Sequence, residues 1–198
     1  MIDETLRQTL LALAAEDARV REELAADGSL FEGYHPRMEA VHVANARALE
    51  AMLDAGWPGI SRAGEDGAEA AWRIVQHAIG LPSFQHRCLS LIEAAIARND
   101  APGWQAAYLS DRIRTFEGRA QIYGTQFDWD EHGQMSPKPI EDEANVDARR
   151  AGVGLPPLAE ATAQHRSNIA ATAGKAPDDY HKREQTFLAW ARKVGWRD

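Results

Sequence analysis

The sequence predicts an all-α protein, an irregular bundle of about seven or eight helices. Three observations carry this. Apolar residues recur at three- and four-residue spacing through most of the chain, prolines and glycines fall where helices start and stop, and no segment shows the β-branched alternation of a sheet protein. No internal repeat is visible, which removes solenoids.

Leu6, Leu10, Leu13, Val20 and Leu24 place a first helix near residues 3–26, with Gly28 and Gly33 as its break. Pro36 suits the first turn of a second helix because its missing N–H has no intrahelical partner there. Met38, Val41, Asn45, Leu49 and Met52 follow the helical period, and Gly56-Trp57-Pro58-Gly59 ends it. A loop rich in Gly, Asp and Glu is expected through Gly67, and the third helix then covers Ala68 to Ala78. After Gly80-Leu81-Pro82, Ser83 is expected to cap a fourth helix whose stripe is Phe84, Cys88, Leu91, Ile92, Ala95 and Ile96. Pro102 opens a fifth, with Tyr108, Leu109, Ile113 and Phe116 facing inward up to Gly118.

Periodicity lapses from Phe127 to Glu143, which reads as a long surface loop. A short β-hairpin within 121–138 is the alternative, with Asp128 and Gly133 at its turn and Trp129 in a strand. Helices over Pro139 to Arg150, Pro157 to Thr172 and Asp178 to Val194 complete the expected order. Residues 160–198 carry more base than acid, opposite to the rest of the chain. They are expected as a helical extension packed on a domain of residues 1–159, with Trp190 and Trp196 as exposed aromatics of a docking surface.

The chain has 198 residues, 44% of them hydrophobic, enough to bury a core. Its 30 acidic and 22 basic side chains leave a net charge of −8 and no basic block, so no platform for a nucleic-acid backbone is expected. No apolar run approaches the roughly 20 residues that span a bilayer, and the first residues are acidic rather than a basic leader. A cytoplasmic protein is therefore expected, and a homodimer stays open. Cys88 stands alone, which excludes an internal disulfide and a thiolate metal cluster and suits a core residue better than a nucleophile.

Gln121-Ile122-Tyr123-Gly124-Thr125-Gln126 is the most unusual local sequence: four side chains that both donate and accept hydrogen bonds surround a glycine. It reads either as a binding loop for a polar ligand or as a core plug with capping amides. Upstream, Arg112 offers a forked donor for a carboxylate or phosphate beside Asp111, and a surface ion network is the alternative. His77 falls in an apolar helix just before a break, where a charged imidazole is favoured and acid–base work is open to it. No metal is expected: His35 and His42 are too far apart for a helical ligand pair, and the acids around His132 form no recognised signature. Nor is any cofactor expected, since nucleophile elbows, phosphate loops and dinucleotide fingerprints are missing.

Taken in order, Gly56-Trp57-Pro58, Gln76-His77-Ala78, Tyr108-Leu109-x-Asp111-Arg112, Gln121-x-Tyr123-Gly124-Thr125-Gln126, Pro139-Ile140-x-Asp142 and Val146-Asp147-x-Arg149-Arg150 resemble an uncharacterised bacterial family of unknown function over residues 36–158. The resemblance implies no reaction. It marks His77, Asp111, Arg112, Gln121, Tyr123, Thr125, Gln126, Asp142, Asp147, Arg149 and Arg150 as a shared polar set, which makes sense if these segments converge on one pocket. The expected function is a metal-independent small-molecule enzyme, hydrolase or transferase-like. His77 is its acid or base, oriented by Asp111 or Asp147, and Arg112, Gln121, Tyr123, Thr125, Gln126 and Arg149 bind a polar or anionic substrate. The competing expectation is a non-catalytic protein-binding or immunity-type module steered by its acidic charge.

Overall fold

Eight α-helices and one two-stranded antiparallel hairpin occur among the described residues, 1–31, 33–171 and 174–198, of the computed structural model. The fold is thus mostly α, with the hairpin in place of the long loop expected after Phe127. No helix among the described residues is long and apolar enough to cross a membrane. Contacts divide the chain into two units, Met1–Ala101 and Pro102–Asp198.

In the first unit, Asp3 caps α1 (Glu4–Ala26) by accepting the Leu6 N–H at 3.0 Å. Helix α1 packs along α3 (Ile60–His77) and α2 (Pro36–Glu50). Its inward positions are Leu6, Leu10, Ala14, Asp17, Val20 and Leu24, so one carboxylate sits in an otherwise apolar stripe. His35 caps α2, its Nδ1 accepting the Arg37 N–H at 3.1 Å, with Pro36 in the first turn.

Helix α3 begins eight residues before the expected Ala68. The reason is tertiary: Asp100 accepts the Ile60 N–H with its backbone carbonyl at 3.0 Å and the Ser61 N–H with Oδ1 at 2.6 Å, satisfying donors that a composition count assigns to a loop. The Gly-rich character survives as a kink at Gly64, whose φ of 72° only glycine adopts without strain. Helix α4 (Pro82–Ile96) is preceded by Leu81, and its first residue is the proline. Ser83 therefore lies inside the helix and is not its cap. Cys88 is fully buried on α4, and burial pushes its thiol pKa up to about 12. Ellman's reagent is accordingly expected to leave the native protein unmodified and to titrate one thiol in guanidinium; fast reaction without denaturant would contradict this packing.

In the second unit, α5 (Gly103–Phe116) follows Pro102, and β1 (Phe127–Trp129) pairs with β2 (Met135–Pro137) with Asp128 opposite Ser136. Asp130, not Asp128, closes the hairpin: Oδ1 accepts the His132 and Gln134 N–H groups, and Oδ2 accepts the Ser136 hydroxyl at 2.8 Å. The helix expected from Pro139 does not form there. The Pro139 carbonyl accepts the Gln121 N–H at 2.8 Å and the Glu141 N–H reaches the Gln121 carbonyl at 2.7 Å, holding this stretch extended. A 3₁₀ turn at Glu143–Asn145 then leads into α6 (Val146–Gly152).

Helix α7 (Leu158–Ala171) buries none of its residues, and the expected end at Thr172 lies outside the described residues. Helix α8 (Tyr180–Val194) is capped by Asp179, which accepts the Lys182 N–H at 2.8 Å. Trp190 and Trp196 are not exposed as expected. With Phe187 they gather around Phe116, ring centroids 5.2–5.9 Å apart, and Trp196 is buried.

Candidate functional site

The densest ionisable cluster of the first unit is built from three helices. Asp17 comes from the buried stripe of α1, His42 from that of α2, and His77 is the last residue of α3. His77 Nδ1 lies 2.7 Å from Asp17 Oδ2, a charge-assisted hydrogen bond to a carboxylate that is 2% exposed. His42 Nε2 lies 3.4 Å from the same oxygen without hydrogen-bond geometry and is left buried with no partner. The other ring nitrogen, Nδ1, meets the Tyr34 hydroxyl at 2.8 Å. The two imidazole rings are 5.3 Å apart, and Tyr34 stacks on His42 at 5.6 Å.

The electrostatics follow from this geometry. Burial pushes the Asp17 carboxyl toward its neutral form, yet His42 and His77 outweigh it and hold the pKa well below the usual carboxylate range. The Tyr34 phenol is raised by its burial, with the charges of Glu39 and Asp17 adding to the effect, so it stays neutral. His77 reaches solvent, its side chain 28% exposed, and Tyr34 is half-buried. Beside it on α3, Gln76 is 3% exposed with both amide atoms unpartnered. Such a buried amide is rare in a folded protein and calls for a ligand or water.

Of the residues expected from sequence, His77 belongs to the first unit and all the others to the second. There Asp111, fully buried on α5, collects the N–H groups of Ile122 at 2.7 Å, Tyr123 at 3.1 Å and Thr125 at 3.0 Å, and the Thr125 hydroxyl at 3.0 Å. Gln121 is equally occupied. Its Oε1 accepts the Gln126 N–H at 2.6 Å while Nε2 donates to the carbonyls of Gln126 and Lys138. Arg149 donates to the carbonyls of Ile122, Glu141 and Asp142, and Gln126 Nε2 donates to Thr125 Oγ1 at 3.0 Å.

Arg150 ties Tyr123, Gly124 and Pro156 in the same way, and Asp147 accepts the Leu158 N–H at 2.7 Å. The polarity of residues 121–126 thus serves to fold the loop, because each buried peptide group there needs a partner. The carboxylate bonded to His77 is Asp17, while Asp111 and Asp147 spend their oxygens on backbone N–H groups.

Arg112 is the exception. Its Nε is buried without a hydrogen bond, and loss of solvent pushes its pKa down to about 10. A hollow of about 360 Å³ in the second unit is lined by other residues, among them Lys138, which already serves Asp128 at 3.2 Å and Glu184 at 3.4 Å.

Sequence reasoning missed Asp17, His42 and Tyr34. A signal for Asp17 was present, an acid at a core position of the Leu6–Leu24 stripe. His42 was weighed only against His35 on its own helix, whereas its partners lie on two others. Asp17, His42 and His77 also make the one group of three metal-competent side chains found among the described residues, with ligand atoms all within 4.8 Å of one another.

Fold and site together define a mostly helical protein with a buried Asp–His–His cluster in its first unit. The chain belongs to the family of unknown function DUF6624, whose model matches residues 4–167. The match extends beyond the stretch 36–158 at both ends and takes in α1, the helix that carries Asp17. No curated protein and no solved structure matches the chain.

Proposed function

We propose that the protein is a small-molecule enzyme in which the Asp17–His42–His77 cluster is the reacting centre and His77 is the proton-transfer group, acting on a polar or anionic substrate in a hydrolysis, group transfer or cyclisation. The observation that carries it is the 2.7 Å bond from His77 Nδ1 to the buried Asp17 carboxylate. A carboxylate held at one ring nitrogen fixes the tautomer and orientation of the ring and leaves the other nitrogen, Nε2, to take a proton from water or a substrate hydroxyl and return it to the leaving group.

The test is turnover of a panel of phosphate esters, carboxylic esters and amides followed by mass spectrometry. His77→Gln is expected to lower turnover about 100-fold or more with an unchanged circular dichroism spectrum. Equal turnover by the variant would end the assignment.

The second reading, a non-catalytic binding module, is favoured by the mutual satisfaction of Asp111, Gln121, Thr125 and Arg149, which marks them as scaffold. A wild-type protein inert across the panel favours that reading.

A further inference from the structure

We infer that Asp17, His42 and His77 form the site of a single divalent transition-metal ion of the zinc class, with Asp17 Oδ2, His42 Nε2 and His77 Nδ1 as ligands. The inference rests on the centre proposed above and changes what His77 does there, since with an ion bound Nδ1 is a ligand and no longer the nitrogen held by Asp17.

The distances fit. Zinc bonds of about 2.0–2.1 Å in tetrahedral array put ligand atoms about 3.3 Å apart. His42 Nε2 and Asp17 Oδ2 are 3.4 Å apart already, and the 2.7 Å contact from His77 opens by about half an ångström to reach that spacing. The donor set fits as well: two imidazoles and one carboxylate select borderline transition ions over magnesium or calcium, which take oxygen.

An independent observation points the same way. His42 is 7% exposed, its Nε2 lies 3.4 Å from Asp17 Oδ2, and that nitrogen has no hydrogen bond. A buried ring nitrogen left without a partner is costly unless something fills the gap. Its opposite nitrogen is held by Tyr34 at 2.8 Å, the outer partner that orients a ligating imidazole. Among the described residues no fourth His, Cys, Asp or Glu joins the three, so one coordination position is left open, as in catalytic rather than structural zinc sites.

The full-length chain, stripped with chelator, is titrated with Zn²⁺ against a chromophoric competitor and with Co²⁺ by visible absorption. One equivalent per chain is expected, with Co²⁺ bands of low coordination number, and Mg²⁺ is expected not to compete. His77→Gln and His42→Gln are each expected to weaken Zn²⁺ binding about 100-fold, and Tyr34→Phe about 10-fold. His77 is partly exposed, so its variant keeps the test alive should His42→Gln fail to fold. Zn²⁺ binding that is absent, or equally strong in a folded His77→Gln variant, overturns the site.

The two readings fail separately. Loss of turnover in His77→Gln without any metal binding leaves the proton-transfer reading standing alone. Stoichiometric metal with unaltered turnover leaves the metal site and removes the catalytic role.

Discussion

Asp111→Asn is expected to destabilise the protein by about 3–5 kcal/mol, a cost typical of breaking a buried charged network. The carboxylate is fully buried and its two oxygens accept four donors: three backbone N–H groups and one hydroxyl. Asparagine keeps the shape but turns one acceptor into an NH₂ group that faces N–H donors, so the replacement orphans backbone groups that are buried or partly buried. In a chain of 198 residues this corresponds to a fall of about 10 °C in the melting midpoint, read by calorimetry. Thr125→Val removes only the hydroxyl donor and is expected to cost about 1–1.5 kcal/mol. A midpoint for Asp111→Asn within about 2 °C of wild type would show that the loop has other means of holding itself.

Gly59→Ala is expected to cost about 2–4 kcal/mol for a different reason. The backbone at Gly59, φ −72° and ψ −177°, suits any residue, so conformational freedom is not at issue. The obstacle is space, because an added Cβ would lie 2.6 Å from the Asp100 carbonyl oxygen and collide with its carboxylate. Those same atoms cap α3 at Ile60 and Ser61, so moving them away to relieve the clash strips the cap as well. Asp100→Ala loses the side-chain cap alone and is expected to cost about 1 kcal/mol. Urea denaturation separates the two, and equal midpoints for both variants would refute the clash.

How far the sequence could be read depended on the range of the interactions involved. Helices α1, α2, α5 and α8 follow from local period, prolines and capping acids, because those signals act within one or two turns. The early start of α3 and the missing helix after Pro139 were illegible, since Asp100 and Gln121 decide them from 18–40 residues away in the chain. The same split runs through the site. His77 was picked out by its place before a helix break, and its partners Asp17 and His42 were hidden because each looks, on its own helix, like an ordinary member of a stripe. The polar block 121–126 was conspicuous for the opposite reason: a loop that must satisfy its own peptide groups needs amides, a hydroxyl and a buried carboxylate as surely as a ligand site does.

The spacing of these contacts along the chain also sets an order of assembly. Asp111 closes loops of 11 to 14 residues, whereas the bond from His77 to Asp17 closes one of 60. Loop-closure entropy rising with the logarithm of length makes the longer closure dearer by about 1.4 kcal/mol. On a growing chain the Asp111 nest is complete once Thr125 has emerged. Asp17, made far earlier, can meet His42 once α2 has emerged and gains its hydrogen bond only when the end of α3 arrives, so the candidate site is gathered over long range while the loop of the second unit closes on itself.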